Sequence, residues 1–215
     1  MTPTMDFSGI AVSYDERVLQ PRAWTADQSR WAVEAMATAP PGPVLELCCG
    51  AGHIGLLATA LTPVRVRRPL VAVDLNPAAL VLTARNAEAN GLAGWVEVRE
   101  GDLTDVLARE ELFAVIIADP PWVPEAQTAH YPEDPLLAID GGPDGLTVAR
   151  QCLAVVREHL APGGLAVLQL GTAEQARDLE VGSHGLAVAE VRHGERGVLV
   201  GLRRDRSAAG SGSLS

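Results

Sequence analysis

The chain has 215 residues, of which 47% are apolar and 20% charged. That balance describes one domain able to bury its own core, and it excludes a disordered chain, a coiled coil and a span of ~20 uncharged apolar residues in a membrane. The net charge is −10, from 27 acidic residues against 17 basic ones, and every basic residue is Arg. With no Lys, a lysine base, a Schiff base and a phosphate-loop lysine are all excluded. An acidic surface also does not attract nucleic acid through bulk charge.

In chain order, residues 1–40 read as an N-terminal arm with one amphipathic helix near Ala26–Thr38, its apolar side carrying Trp31, Ala32, Ala35 and Met36. Strands are predicted over Pro43–Leu47, Leu70–Asp74, Trp95–Arg99, Phe113–Ala118, Leu165–Leu170, Leu186–Val191 and Val198–Arg203. Most are short, continuously apolar and β-branched, as strands buried on both faces should be. Between them, helices are predicted over Ile54–Ala60, Pro77–Asn90, Leu103–Glu110, Leu146–His159 and Ala173–Leu179. Pro77 suits a first turn and Gly91 a helix end. The alternation implies a doubly wound, seven-stranded α/β fold with a mostly parallel sheet. The short turn Arg192–Gly197 implies a C-terminal antiparallel hairpin. The main domain is thus expected over residues 41–206, and a small polar tail over 207–215.

Three Cys, the adjacent Cys48 and Cys49 with Cys152, form neither a disulfide framework nor zinc spacing. The opening segment has no basic and apolar regions of a secretory signal, so a cytoplasmic protein with no membrane association is expected. The histidines show no metal-ligand spacing, and no metal is expected.

The chemistry-bearing residues fall at strand ends. The first strand runs into Glu46-Leu-Cys48-Cys49-Gly50-Ala51-Gly52 and then a helix, where glycines let backbone approach a ligand. The second strand ends at Asp74-Leu75, a carboxylate placed to accept both hydroxyls of a ribose. The third ends in Glu100-Gly101-Asp102-Leu103. A dinucleotide loop would read G-x-G-x-x-G, whereas this one reads E-x-C-x-G-x-G. The fourth strand ends in Asp119-Pro120-Pro121-Trp122. Two prolines remove two N–H groups and leave carbonyls free to accept. Asp119 adds a carboxylate and Trp122 a flat apolar face. Together these could hold a planar –NH₂ group with its lone pair aimed at a methyl donor.

These motifs resemble class I S-adenosylmethionine (SAM) methyltransferases that carry an Asp/Asn-Pro-Pro-aromatic motif, and within them the HemK/PrmC-like glutamine methyltransferases. Arg17-Val18-Leu19-Gln20-Pro21-Arg22-Ala23-Trp24-Thr25 is similar to that family's R-V-L-I-P-R-P-E-T segment, and Glu133–Leu146 to its G-G-x-D-G-L region. The resemblance covers roughly residues 13–170. It implies SAM as cofactor, held by Glu46, Cys48, Gly50, Gly52, Asp74, Leu75, Asp102, Leu103 and Asp119. Asp119, Pro120 and Trp122 are the expected catalytic residues. Pro21, Arg22, Pro121, Trp122, His130 and Tyr131 are the expected acceptor-binding residues.

The family has Asn-Pro-Pro-Tyr where this chain has Asp119-Pro120-Pro121-Trp122. Residues 1–42 do not supply the family's N-terminal helical domain, so release-factor glutamine is not carried over. The expected acceptor is an amide or amine nitrogen of a protein or small molecule. Two alternatives are a nucleic-acid adenine or guanine amine and an inactive scaffolding partner. The basic clusters Arg65–Arg68 and Arg203–Arg206 fall at the sheet edge opposite the expected site and read as solvated surface. The segment Val123–Asp144, with four prolines and little helical pattern, is expected to cover the acceptor.

Overall fold

A computed structural model describes residues 2–205, so the tail expected over 207–215 lies outside the described residues, as does Arg206. Two short strands open the chain, β1 (Thr4–Phe7) and β2 (Ile10–Ser13). Then come α1 (Ala26–Met36), β3 (Val44–Leu47), α2 (His53–Leu61), β4 (Leu70–Asp74), α3 (Pro77–Ala89), β5 (Val96–Glu100) and β6 (Phe113–Ala118). The second half holds α4 (Leu136–Ile139), α5 (Thr147–His159), β7 (Leu160–Leu170), α6 (Ala173–Asp178), β8 (Leu186–His193) and β9 (Val198–Arg204).

Strands β3 to β9 form one seven-stranded sheet in the order β5-β4-β3-β6-β7-β9-β8. All pairings from β5 to β7 are parallel, and β9 runs antiparallel between β7 and β8. The expected doubly wound sheet with its C-terminal hairpin is therefore the fold observed. Strand order reverses between β3 and β6. That switch point opens a crevice at the carboxyl ends of the strands.

Period-two alternation explains the layers. On β6, buried at every position, Val115 and Ile117 meet Trp31, Ala32, Ala35 and Met36 of α1. Ile116 and Ala118 face the other way, into the cluster that holds Ala149, Cys152, Leu153 and Val156 of α5. Each large apolar side chain so buried contributes roughly 1.5–3 kcal/mol. Helix α3 begins as its sequence implies: Pro77 is the first residue and the Asn76 side chain accepts from Ala78 N at 3.0 Å.

Four local readings are corrected. The arm contains the β1–β2 hairpin, which the sequence reading missed. Its Phe7, Ile10 and Val12 pack against Leu56, Leu57 and Leu82. Asn86 ties it down by accepting from Ser13 N at 2.8 Å and donating to the carbonyls of Ser13 and Ala51, both at 2.9 Å. The helix expected over Leu103–Glu110 is absent. Asp102 Oδ1 instead accepts from Thr104 N and Oγ1, at 2.9 and 2.7 Å, and Glu111 takes the Ala108 N–H at 2.8 Å. Local carboxylates compete for the N–H groups that a helix would need. β7 starts five residues early, at Leu160. The Arg65–Arg68 cluster is not all solvated surface: Arg68 donates to the carbonyls of Met36, Ala39, Pro40 and Gly42, and Arg67 lies over the Trp95 ring.

Candidate active site

The turn after β3 is held from below and from the side. Glu46 is buried, and its Oε1 accepts from Gly55 N at 2.9 Å while Oε2 has no partner. Desolvation lifts its carboxyl to about 8. Asp74 Oδ2 accepts from Gly50 N at 2.8 Å, and Oδ1 from Asn76 N at 2.9 Å. Burial raises Asp74, and the N–H bonds oppose that rise. Gly52, at φ +75°, begins α2, and a Cβ there would lie 2.7 Å from the Thr83 side chain. At Gly50, φ +53°, a Cβ would meet nothing within 4 Å. The loop therefore leaves open space at Gly50 and none at Gly52. Cys48 adopts φ +57° without being glycine, a strained conformation for a side chain. The neighbouring Cys152 thiol and burial both push the Cys48 thiol up, so it stays neutral.

Seven of the nine residues expected around the cofactor line one cavity of about 160 Å³: Cys48, Gly50, Asp74, Leu75, Asp102, Leu103 and Asp119. The other two, Glu46 and Gly52, support the loop from outside that lining. Asp102 is exposed, and the Thr104 N–H and hydroxyl hold its carboxyl below the usual range.

A second cavity of about 360 Å³ adjoins the first. Of the residues expected at the acceptor, Arg22, Pro121, Trp122 and Tyr131 line it, as does Pro120 of the expected catalytic set; Pro21 is buried and His130 exposed, and neither lines it. Asp119 lines both cavities. It accepts no hydrogen bond among the described residues, and loss of hydration alone lifts its carboxyl to about 7. The Trp122 ring rests on Gly171, where any Cβ would collide with it, and the Trp122 carbonyl accepts from Gln175 Nε2 at 2.8 Å.

The long segment after Trp122 is more regular than its sequence implies. It contains a 3-10 helix over Glu125–His130 and the short α4. Its ends are joined by Val123 N to Ile139 O and Gly141 N to Val123 O, both at 2.9 Å. Arg22 donates to both oxygens of Asp134, at 2.7 and 2.8 Å, and so ties this segment to the arm.

Sequence reasoning missed Gln169, Asp134 and Arg196 in the second cavity, and Gln28 behind it. Gln28, fully buried on α1, donates to the carbonyls of Ala118 and Val167, each at 2.9 Å. That ties the end of β6, next to Asp119, to the middle of β7. Its signal was a polar residue three before Trp31, on the apolar side of the helix.

Two cavities meet at a strand-end carboxylate over the switch point of a doubly wound sheet, the place where such sheets bind their ligands. The chain belongs to the methyltransferase small domain family, whose family model matches residues 26–138. It is 39% identical over 128 residues to the release factor glutamine methyltransferase of Moorella thermoacetica, covering 58% of this chain and 44% of that protein. It is 34% identical over 182 residues to the ribosomal protein uL3 glutamine methyltransferase of Bradyrhizobium diazoefficiens, covering 79% and 56%. The chain thus spans about half the length of these curated relatives. In fold it is similar to the ribosomal protein L11 methylase of Lactobacillus delbrueckii subsp. bulgaricus, with TM-score 0.63 and 13% identity over 90% of this chain and 84% of that one. Among the described residues, no helix is long and apolar enough to cross a membrane.

Proposed function

We propose that this chain is a SAM-dependent N-methyltransferase of the HemK/PrmC-like group, and that its acceptor is a nitrogen of a protein. The observation that carries this reading is Asp119, which has no hydrogen-bond partner among the described residues, at the junction of the two cavities. The names of the curated relatives, glutamine methyltransferases of a release factor and of ribosomal protein uL3, support a protein acceptor.

The first cavity fits SAM chemically. Open space at Gly50 leaves room for close approach, the Asp74 oxygens keep lone pairs for ribose hydroxyls, and Asp102 with Leu103 offers an acceptor and an apolar wall to the adenine. When bound, SAM supplies a methyl group on a sulfonium. The chain's own residues then position the acceptor. Asp119 and the Pro120 carbonyl accept from the nitrogen, and Trp122 lies along it. Catalysis on this reading is chiefly orientation and exclusion of water. Engagement of Arg67 and Arg68 within the fold weakens the nucleic-acid alternative. The presence of Asp74 and Asp119 at their strand ends weakens the inactive-scaffold alternative.

Calorimetry with S-adenosylhomocysteine tests the cofactor side, and binding weakened by Asp74→Ala is expected. Incubation with methyl-labelled SAM and a cell extract, fractionated afterwards, tests the acceptor. Label in the protein fraction is expected; label confined to nucleic acid or to small molecules overturns the protein reading.

A further inference from the structure

The second cavity holds more than a methyl-transfer site requires. The chain has four Trp, two Tyr and two Phe, and Trp24, Trp122 and Tyr131 all line this one cavity. Its charged lining is three carboxylates, Asp119, Glu133 and Asp134, with two guanidiniums, Arg22 and Arg196. Arg22 and Asp134 neutralise each other. Arg196 lies over the Trp24 ring, 5.7 Å from its centroid. Glu133 is exposed, and Asp119 remains as a half-buried carboxylate that shares the cavity with Trp122 and Tyr131 and accepts no hydrogen bond among the described residues.

A desolvated carboxylate in a cavity lined by aromatic residues is the complement of a cation. Ring quadrupoles attract an ammonium, and the carboxylate pairs with it. A carboxamide brings no charge for that carboxylate to neutralise. We propose that the acceptor nitrogen is an alkylamine entering as its ammonium, the chemistry of a lysine side chain or a peptide N-terminus, and that Asp119 selects it and takes its proton. This rests on the methyltransferase reading and narrows its acceptor. The ammonium passes one proton to the Asp119 carboxylate. The freed lone pair forms the N–C bond as the donor's S–C bond breaks, with that electron pair staying on sulfur. Asp119 then returns its proton to water, so one proton is released per methyl group and the methylated amine leaves as its cation. A carboxyl lifted to about 7 can serve both as counter-ion and as proton acceptor near neutrality.

Binding of small probes to the whole chain, saturated with S-adenosylhomocysteine and followed by NMR, tests this. The probes are n-butylammonium, alaninamide and neutral butyramide. At least one of the two cations should bind tenfold or more tightly than butyramide. Tighter n-butylammonium assigns a lysine side chain, and tighter alaninamide a peptide N-terminus. Asp119→Asn should retain S-adenosylhomocysteine and lose the preference for the cation. Butyramide binding as well as both cations overturns the proposal, as does a preference that survives in Asp119→Asn. The comparison on the unaltered chain decides even if that variant fails to fold. Failure of S-adenosylhomocysteine to bind would strike the methyltransferase reading instead, and the cation preference can still be read without it.

Discussion

Asp74, at the end of β4, accepts N–H bonds from Gly50 and Asn76 at 2.8 and 2.9 Å, whereas Asp119, just past the end of β6, accepts none among the described residues. Both are acidic residues at the carboxyl edge of one parallel sheet, and both line the first cavity. Asp74 is built into the backbone: its oxygens order the turn after β3 and the start of α3. Two prolines follow Asp119 and remove the N–H groups that would otherwise sit in reach. The first carboxylate shapes a binding surface, and the second is left for whatever enters.

The comparison breaks most sharply at the segment that follows Trp122. Replacing residues 125–131 with a Gly/Ser linker removes Tyr131 from the second cavity. Turnover should be abolished while S-adenosylhomocysteine affinity, read by calorimetry, is spared. An equal loss of both, together with a lowered unfolding midpoint, would make the segment structural.

Asp119→Ala comes next. Removing a well-placed electrostatic group should lower turnover by on the order of 10²-fold or more, with S-adenosylhomocysteine affinity falling less. Full activity in this variant would remove Asp119 from the mechanism.

Asp74→Ala should show the opposite split. It deletes two charge-assisted N–H bonds, each contributing about 1.5–3 kcal/mol, and any bond to a ribose. S-adenosylhomocysteine should bind on the order of 10–100-fold more weakly. Unchanged affinity would place the ligand elsewhere.

The smallest effects are those of pH. Asp119 is lifted to about 7 and Glu46 to about 8. A carboxyl raised in the folded state stabilises fully below its unfolded value and loses that contribution as pH rises through its folded value. Stability measured by denaturant titration should therefore fall from about pH 4 to about pH 8. Glu46→Gln keeps an acceptor for Gly55 N and should flatten the upper part of that fall. Turnover should rise with pH through about 7 as Asp119 ionises, and a profile flat across that range contradicts the role given to its carboxylate.

The strand-end motifs were legible because each is a short run locked to one structural position. Glycines and an acidic residue must follow a buried strand, and β3, β4 and β6 read plainly as apolar runs. The β1–β2 hairpin was missed because two four-residue strands bury only Phe7, Ile10 and Val12, in a cluster built largely from α2 and α3. The absent helix after Asp102 had helical composition but was undone by carboxylates that capture its N–H groups. Gln169 and Arg196 lie in no motif, and Trp24 and Asp134 lie in segments of family resemblance that assign neither a role. They come from four separate segments of the chain and meet only in the second cavity.

By itself the amino-acid sequence determined the alternation of buried strands and helices, the parallel sheet with one reversed strand, and the placement of Gly50, Asp74, Asp102 and Asp119 at a common edge. Periodicity and turn chemistry are local, and they act within a few residues. Tertiary structure alone decided that Asp74 is saturated by backbone while Asp119 is not, that Arg22 is neutralised by a residue 112 positions away, and that three aromatic rings share one cavity. Those outcomes depend on desolvation and on contacts between distant segments, which exist only once the sheet has brought its strand ends together.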